Sequence, residues 1–192
     1  MATLDDLAFK YRSDKTPRLH HGYAPFYDAI LAGRDIRKIL EIGIGTATSY
    51  PNNYESSMAG IAGYQEGASL FMWEEFFPHA EIFALDIVEE ILINRGRIKS
   101  FQCDQSKEAS LAAAVEKIGT GFDLIVDDGS HVTAHQILTA NYLVPRILAK
   151  GGLYIIEDVN DVNIIDSLQP PCELTPHFNS LIPDDRLVII RG

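Results

Sequence analysis

Apolar residues in this chain fall in short runs that end abruptly in acids or glycines, separated by stretches with helical spacing. Ile36 to Ile42 is apolar and β-branched and predicts a buried strand, which runs into Gly43-Ile44-Gly45. Glu81 to Ile87 predicts a second strand, and the weaker run Arg97 to Phe101 a third. Residues 122–127 and 152–156 predict the fourth and fifth, and Leu187 to Ile190 a last one. Leu4, Leu7, Ala8 and Tyr11 mark a short N-terminal helix. Phe26, Ile30 and Leu31 share one face of a helix over 24–33, stopped by Gly33. Further helices are predicted from Gly67 through Phe77, from Lys107 to Ile118, and from about Thr133 to Ala149. This alternation predicts an α/β fold: a doubly wound, mostly parallel sheet with helices on both faces and an N-terminal helical cap. The fourth and fifth strands lack period-two alternation, as strands covered on both faces do. The expected organisation is a cap at 1–35 followed by an α/β domain at 36–192, one structural domain overall. Residues 43–66 hold four glycines, Pro51, Asn52, Asn53 and three serines, which predicts an unusually long loop, mobile without ligand.

Composition adds limits. A chain of 192 residues can bury a core without staples. The net charge of −11 argues against a nucleic-acid partner held through phosphates and favours a small neutral or cationic substrate, or one neutralised by metal. Cys103 and Cys172 have neither metal spacing nor a disulfide framework, so a reducing cytoplasm is expected. No apolar run has the length of a membrane helix, and no signal peptide is visible. Both ends read as those of a whole chain, and self-association into a homo-oligomer is left open.

The candidate chemistry sits at the strand ends. The run Leu124 to Val126 stops at Asp127-Asp128-Gly129-Ser130-His131, and Leu153 to Ile156 stops at Glu157-Asp158. Ligands of open α/β sheets bind outside the carboxyl ends of the strands. That many carboxylates at one rim require a cation, a proton or a polar ligand. Gly43-Ile44-Gly45 is either a tight turn or a close approach to a ligand, and Thr48 stands where a dinucleotide motif would place its third glycine. Asp86, ending the second strand, can accept both hydroxyls of a ribose. Asp104 and Gln105, after the third strand, read either as contacts to an adenine amine or as ordinary loop residues. His135 lies one helical turn past His131, and Trp73, Phe76 and Phe77 read as core.

Together these features resemble a class I S-adenosylmethionine-dependent methyltransferase. More narrowly, the chain resembles the metal-dependent O-methyltransferases that act on antibiotic sugars, of the mycinamicin, macrocin and elloramycin type. The carriers are Tyr11-Arg12-Ser13-Asp14-Lys15 with His21-Gly22-Tyr23, Leu40-Glu41-Ile42-Gly43, Gly67-Ala68-Ser69-Leu70 with Trp73, and Phe76-Phe77-Pro78. Asp86-Ile87, Asp104-Gln105, Asp127-Asp128-Gly129-Ser130-His131 and Ile156-Glu157-Asp158 complete them. The gap between the glycine turn and Gly67 is longer than in those sugar enzymes. The resemblance implies Asp128, Glu157 and Asp158 as magnesium ligands, and His131 as general base, placed with Asp128 in the catalytic set. It implies that Glu41, Gly43, Asp86, Asp104 and Gln105 line the methyl donor, with Gly45, Ser69 and Asp127 of the same motifs. Ser13, Lys15 and Tyr23 match an N-terminal segment that folds over the cofactor pocket. The expected function is methyl transfer from S-adenosylmethionine to a hydroxyl of a small molecule, a sugar or polyol of a natural product, assisted by Mg2+ or another divalent cation. A nicotinamide-dependent oxidoreductase and a non-catalytic nucleotide-binding protein on the same fold are the alternatives. The interrupted glycine motif and the carboxylates, which would repel a pyrophosphate, disfavour the former.

Overall fold

The computed structural model describes residues 2–49 and 57–192. Five helices, α1 (Leu4–Tyr11), α2 (Tyr23–Leu31), α3 (Ala68–Phe76), α4 (Glu108–Ile118) and α5 (Thr133–Ile147), pack on one sheet. Its strands are β1 (Lys38–Ile42), β2 (Glu81–Asp86), β3 (Asn94–Arg95), β4 (Ile98–Gln102), β5 (Phe122–Asp127), β6 (Leu148–Ile156), β7 (Cys172–Leu174) and β8 (Val188–Arg191). They lie in the order β3-β4-β2-β1-β5-β6-β8-β7. The five central strands, β4 to β6 in that order, are parallel, and β3 and β8 pair antiparallel to their inner neighbours. This is the doubly wound, mostly parallel sheet expected from the alternation of strands and helices.

Side-chain alternation explains why the central strands read as continuous apolar runs. Ile39, Leu124, Leu153 and Ile155 enter one core with α1, α2 and α3. Their neighbours Leu40, Ile125, Tyr154 and Ile156 enter a second core on the opposite face with α4 and α5. Each fully buried aliphatic side chain contributes about 1.5–3 kcal/mol, so both faces are built mainly of apolar positions. The N-terminal helices share the first core through Leu4, Leu7, Tyr23 and Tyr27. Thr3 and Asp6 form a capping box at the start of α1, and the Asp28 carboxylate on α2 accepts the Leu4 N–H at 2.9 Å.

The structure differs from the sequence reading in a few places. β3 and β7 were not expected: at two and three residues they carry no periodic signal. β6 begins at Leu148 rather than 152, because Leu148 already pairs with Phe122 before a register shift that the Gly151-Gly152 step accommodates. Helix α5 therefore stops at Ile147, just past Pro145, and not at Ala149. Residues 50–56 of the predicted loop lie outside the described residues. Its flanks fold back on the glycine turn, with the Met58 N–H donating to Thr46 O at 3.2 Å and Tyr64 Oη donating to Ile44 O at 2.8 Å. Among the described residues no helix is long and apolar enough to cross a membrane.

The crossover direction reverses between β1 and β5, and the site opens outside the strand ends at this switch point. Gly43 has φ +91°, and a Cβ there would lie 1.9 Å from the Asp128 carbonyl oxygen. Gly33, at φ +74°, has nothing within 4 Å. The pair separates strain from collision. In chemical denaturation, Gly33→Ala should cost about 1–2 kcal/mol, the left-handed penalty alone. Gly43→Ala should cost more than about 3 kcal/mol, because the strand ends must also part. Equal losses would mean that the β1–β5 contact is soft.

Candidate active site

A cavity of about 520 Å³ opens at the carboxyl ends of β1, β2, β4 and β5, within the range of small-molecule sites. Ile42 to Thr46 form one wall, Leu85 to Ile87 a second, Cys103 to Ser106 a third, and Asp128 to His131 a fourth. Ser13, Asp14, Ser57, Met58, Tyr64, Ser69 and His135 complete the lining.

Asp86 stands where β2 opens into the cavity. Its Oδ2 accepts the Ile44 N–H at 2.8 Å and its Oδ1 accepts the Val88 N–H at 2.9 Å. These bonds fix the carboxylate against the glycine turn while leaving a lone pair on each oxygen for a diol. Burial pushes its carboxyl up. Gly45, at φ +78°, would place a Cβ 2.2 Å from Tyr64 Oη, so glycine here lets the tyrosine close over the turn. Gln105 has a different task. Its amide donates to Asp127 Oδ1 at 3.1 Å and to Thr139 Oγ1 at 3.2 Å, and its Oε1 accepts the Ser130 N–H at 2.7 Å. It thereby holds the loop after β5 in place. Asp104 accepts from Ser106 Oγ and pairs with Lys107 at 2.8 Å, which lowers its pKa.

Behind this wall lies a buried ammonium. Lys15 Nζ is 2.5 Å from Asp128 Oδ2, 2.6 Å from Glu157 Oε2 and 3.4 Å from Glu41 Oε1, with its side chain only 1% exposed. Burial opposes its charge, yet the three carboxylates outweigh burial and raise its pKa well above normal. Glu157 is fully engaged, because Tyr27 Oη donates to its other oxygen at 2.6 Å. Burial pushes the Glu157 carboxyl up, whereas at Asp128 Lys15 and His131 overcome burial and hold the carboxyl below its usual range. Tyr23 Oη donates to Asp158 Oδ1 at 2.7 Å. His21 stacks on Tyr23 and sits between Asp158 and the buried Asp185, 3.1 Å from the latter.

The outer face of the cluster is different. His131 Nε2 lies 3.2 Å from Asp128 Oδ1 and 3.2 Å from Asp158 Oδ2. Donor atoms from Asp128, His131 and Asp158 all fall within 4.8 Å of one another, a spacing that can hold a metal ion. His131 and Asp158 have φ of +55° and +53°, rare values for residues with a Cβ. Such strain concentrates at functional sites, and here it turns both side chains toward Asp128. Burial disfavours the imidazolium, but the hydrogen bond to Asp128 prevails and the pKa rises to about 9.

The sequence-derived residues thus separate into three places. Ser13, Gly43, Gly45, Ser69, Asp86, Asp104, Gln105, Asp128 and His131 line the cavity. Glu41, Lys15, Glu157 and Tyr23 lie behind it in the buried network, and Asp158 joins that network to the outer face. Asp127 is fully buried, faces away from the cavity and accepts from Tyr154 Oη at 2.8 Å; burial pushes its carboxyl up to about 6. Tyr64 was missed, since nothing in a glycine-rich loop marks one tyrosine as folding back. His135, which reads more naturally as solvated helix surface, lines the cavity and lies 2.9 Å from Ser130 Oγ.

No family model matches the chain. Mycinamicin VI 2''-O-methyltransferase of Micromonospora griseorubida is 35% identical over 160 residues, covering 81% of this chain and 36% of that protein. Demethylmacrocin O-methyltransferase of Streptomyces fradiae is 33% identical over 164 residues, with 81% and 36% covered. The chain's curated homologues are sugar O-methyltransferases of antibiotic biosynthesis. It spans about 36% of the length of these curated relatives. Among solved structures, the MycE methyltransferase of the mycinamycin pathway in complex with Mg and SAH superposes with a TM-score of 0.65 at 32% identity, over 82% of this chain and 37% of that one. A second MycE structure, with Mg, SAH and mycinamycin VI, shares the fold over 100% of this chain and 55% of that one, with a TM-score of 0.74 at 24% identity.

The network can be read optically. Trp73 is the sole tryptophan, and its Nε1 donates to Glu41 Oε2 at 3.0 Å. Burial outweighs Lys15 and pushes Glu41 up to about 7 from 4.5. The folded chain therefore holds this proton to higher pH than the unfolded chain, and the group costs stability progressively as pH rises from 4.5 to about 7. Trp73 emission should show an inflection near pH 7 that Glu41→Gln abolishes. An inflection surviving in Glu41→Gln would assign it to another group.

Proposed function

We propose that this chain carries the cofactor and metal centre of an S-adenosylmethionine-dependent O-methyltransferase acting on a hydroxyl of a small molecule, a sugar or polyol of a natural product. The observation that carries this reading is the meeting, at one cavity, of a pinned diol acceptor and glycine turn with an acid–histidine face. The homologues, all O-methyltransferases, support the same reading.

In this reading Asp86 takes the ribose hydroxyls, and Gly43 and Gly45 give the methionine portion room against the backbone. Asp104 and Gln105 border the adenine end, and Ser13 and Ser69 close the pocket. Asp128 and Asp158 would hold a divalent cation with their outward oxygens beside His131, whereas Glu157, expected as a third ligand, has both oxygens committed to Lys15 and Tyr27 and would support the site from behind. The donor set suits such an ion: carboxylates on one side, with space for water and acceptor oxygens on the other. When bound, the cation would lower the pKa of an acceptor hydroxyl and orient adjacent oxygens.

His131 then acts as the base. Its imidazolium is stabilised by Asp128 and Asp158, and neutralising those carboxylates removes the reason for its raised pKa. The neutral ring takes the hydroxyl proton as the oxygen attacks the methyl carbon. The methyl–sulfur bond breaks and its electron pair returns to sulfur, so no covalent enzyme intermediate is needed. The contribution of the site is alignment and proton removal.

S-Adenosylhomocysteine should bind in calorimetric titration, and NAD should not. Asp86→Ala should weaken that binding by about 1.5–3 kcal/mol, the loss of charge-assisted hydrogen bonds. Wild-type affinity in Asp86→Ala, or tighter binding of NAD, would defeat the cofactor assignment. Methyl transfer should stop in excess chelator and return with magnesium. His131→Ala should retain cofactor binding and lose about 10²–10⁴-fold in rate. Undiminished rates in that variant would place the base elsewhere, with His135 the next imidazole on the wall.

A further inference from the structure

We propose that Lys15 is a resident cation of the acidic site: its ammonium occupies the inner half of the carboxylate cluster and so sets how tightly the outer half holds a divalent ion. The inference rests on the reading that this site takes such an ion.

The geometry divides the cluster in two. Glu157 spends one oxygen on Lys15 and the other on Tyr27, so both face inward. Glu41 also faces inward, between Lys15 and Trp73. Asp128 is split: Oδ2 lies 2.5 Å from the ammonium, while Oδ1 faces His131 and the outer side. Only Asp128 Oδ1 and Asp158 Oδ2 are directed outward, both toward His131. The lysine comes from the segment between α1 and α2, whereas its partners come from β1 and from just past the ends of β5 and β6. The backbone seats it: His21 N–H donates to Asp14 O at 2.8 Å, and Ala24 N–H to Lys15 O at 2.7 Å.

A buried ammonium beside the site acts on an incoming cation in two ways. It repels the ion across a short, poorly screened distance, and it withdraws Asp128 electron density through a charge-assisted bond. Both weaken metal binding. The same lysine removes the mutual repulsion that would otherwise open the cluster before any metal arrives. A purely structural lysine would do only the latter, and its loss would weaken metal binding or leave it unchanged. The proposed role predicts the opposite sign.

The test is Mn2+ titration of the full chain, followed by electron paramagnetic resonance of the free ion, with circular dichroism to verify folding. Lys15→Gln should bind Mn2+ at least about tenfold tighter than wild type, and Lys15→Arg, which keeps the charge, should remain within about threefold. Glu41→Gln gives an independent arm that does not require losing the lysine. Glu41 contributes no atom to the outer face, yet removing its charge leaves the ammonium less neutralised. At about pH 8, Mn2+ affinity should fall by about threefold or more in Glu41→Gln. Folded Lys15→Gln with unchanged or weaker affinity overturns the proposal. If Lys15→Gln does not fold, unchanged or tighter binding by Glu41→Gln overturns it. If neither wild type nor Lys15→Gln binds Mn2+, the divalent-cation reading itself fails and takes this inference with it.

Discussion

The structure depends on one buried ammonium among carboxylates. Glu41, Asp128 and Glu157 come from three adjacent strands that end at the same rim, where side chains from neighbouring strands must converge. Their mutual repulsion would be severe out of water. Lys15 supplies the compensating charge, donating hydrogen bonds to Asp128 and Glu157 and pairing with Glu41 at 3.4 Å, and such bonds are what let a buried ion pair hold. Removing one member would leave uncompensated charge in the core, so the N-terminal segment is tied to the sheet by electrostatics as well as by the apolar packing of Leu4, Tyr23 and Tyr27.

This arrangement lets a chain with a net charge of −11 gather acids at one opening without a basic surface around them. The acids are sorted by their partners. Asp127 turns to Tyr154 and Gln105, Glu41 to Trp73, and Glu157 to Tyr27, each with its carboxyl pushed up by burial. Asp128, beside two cations, is the member whose carboxyl is held low. Of the acids at the ends of β1, β5 and β6, Asp128 is thus the one that lines the cavity with its carboxyl held low.

Much of this was legible in the sequence, for identifiable reasons. The central strands declared themselves because both faces are buried and apolar residues dominate them. Asp86 and Asp128 could be placed because a strand end fixes where the next side chain points. The edge strands β3 and β7 could not, being too short to have a period. Neither could the task of Lys15, whose partners Asp128 and Glu157 lie 113 and 142 residues away. Asp127 and Asp128 look equivalent as neighbouring letters, but the pleat sends consecutive side chains to opposite faces. Gln105 suggested a ligand contact because it follows a strand end beside Asp104, and only its three hydrogen bonds reveal a loop clamp.

The left-handed backbone at His131 and Asp158 bears on how this site tolerates change. Glycine at either position would relieve steric strain of about 1–2 kcal/mol. Selection for stability alone would therefore erase both side chains, and their presence marks where the fold gives up robustness. Asparagine is better tolerated in that conformation than most residues with a Cβ. Asp158→Asn therefore isolates the loss of charge, whereas Asp158→Ala would mix a missing carboxylate with an altered backbone. A library that optimises thermal stability without regard to activity would admit glycine at these two codons, and the folded proteins that carried it would lack the outer face of the site.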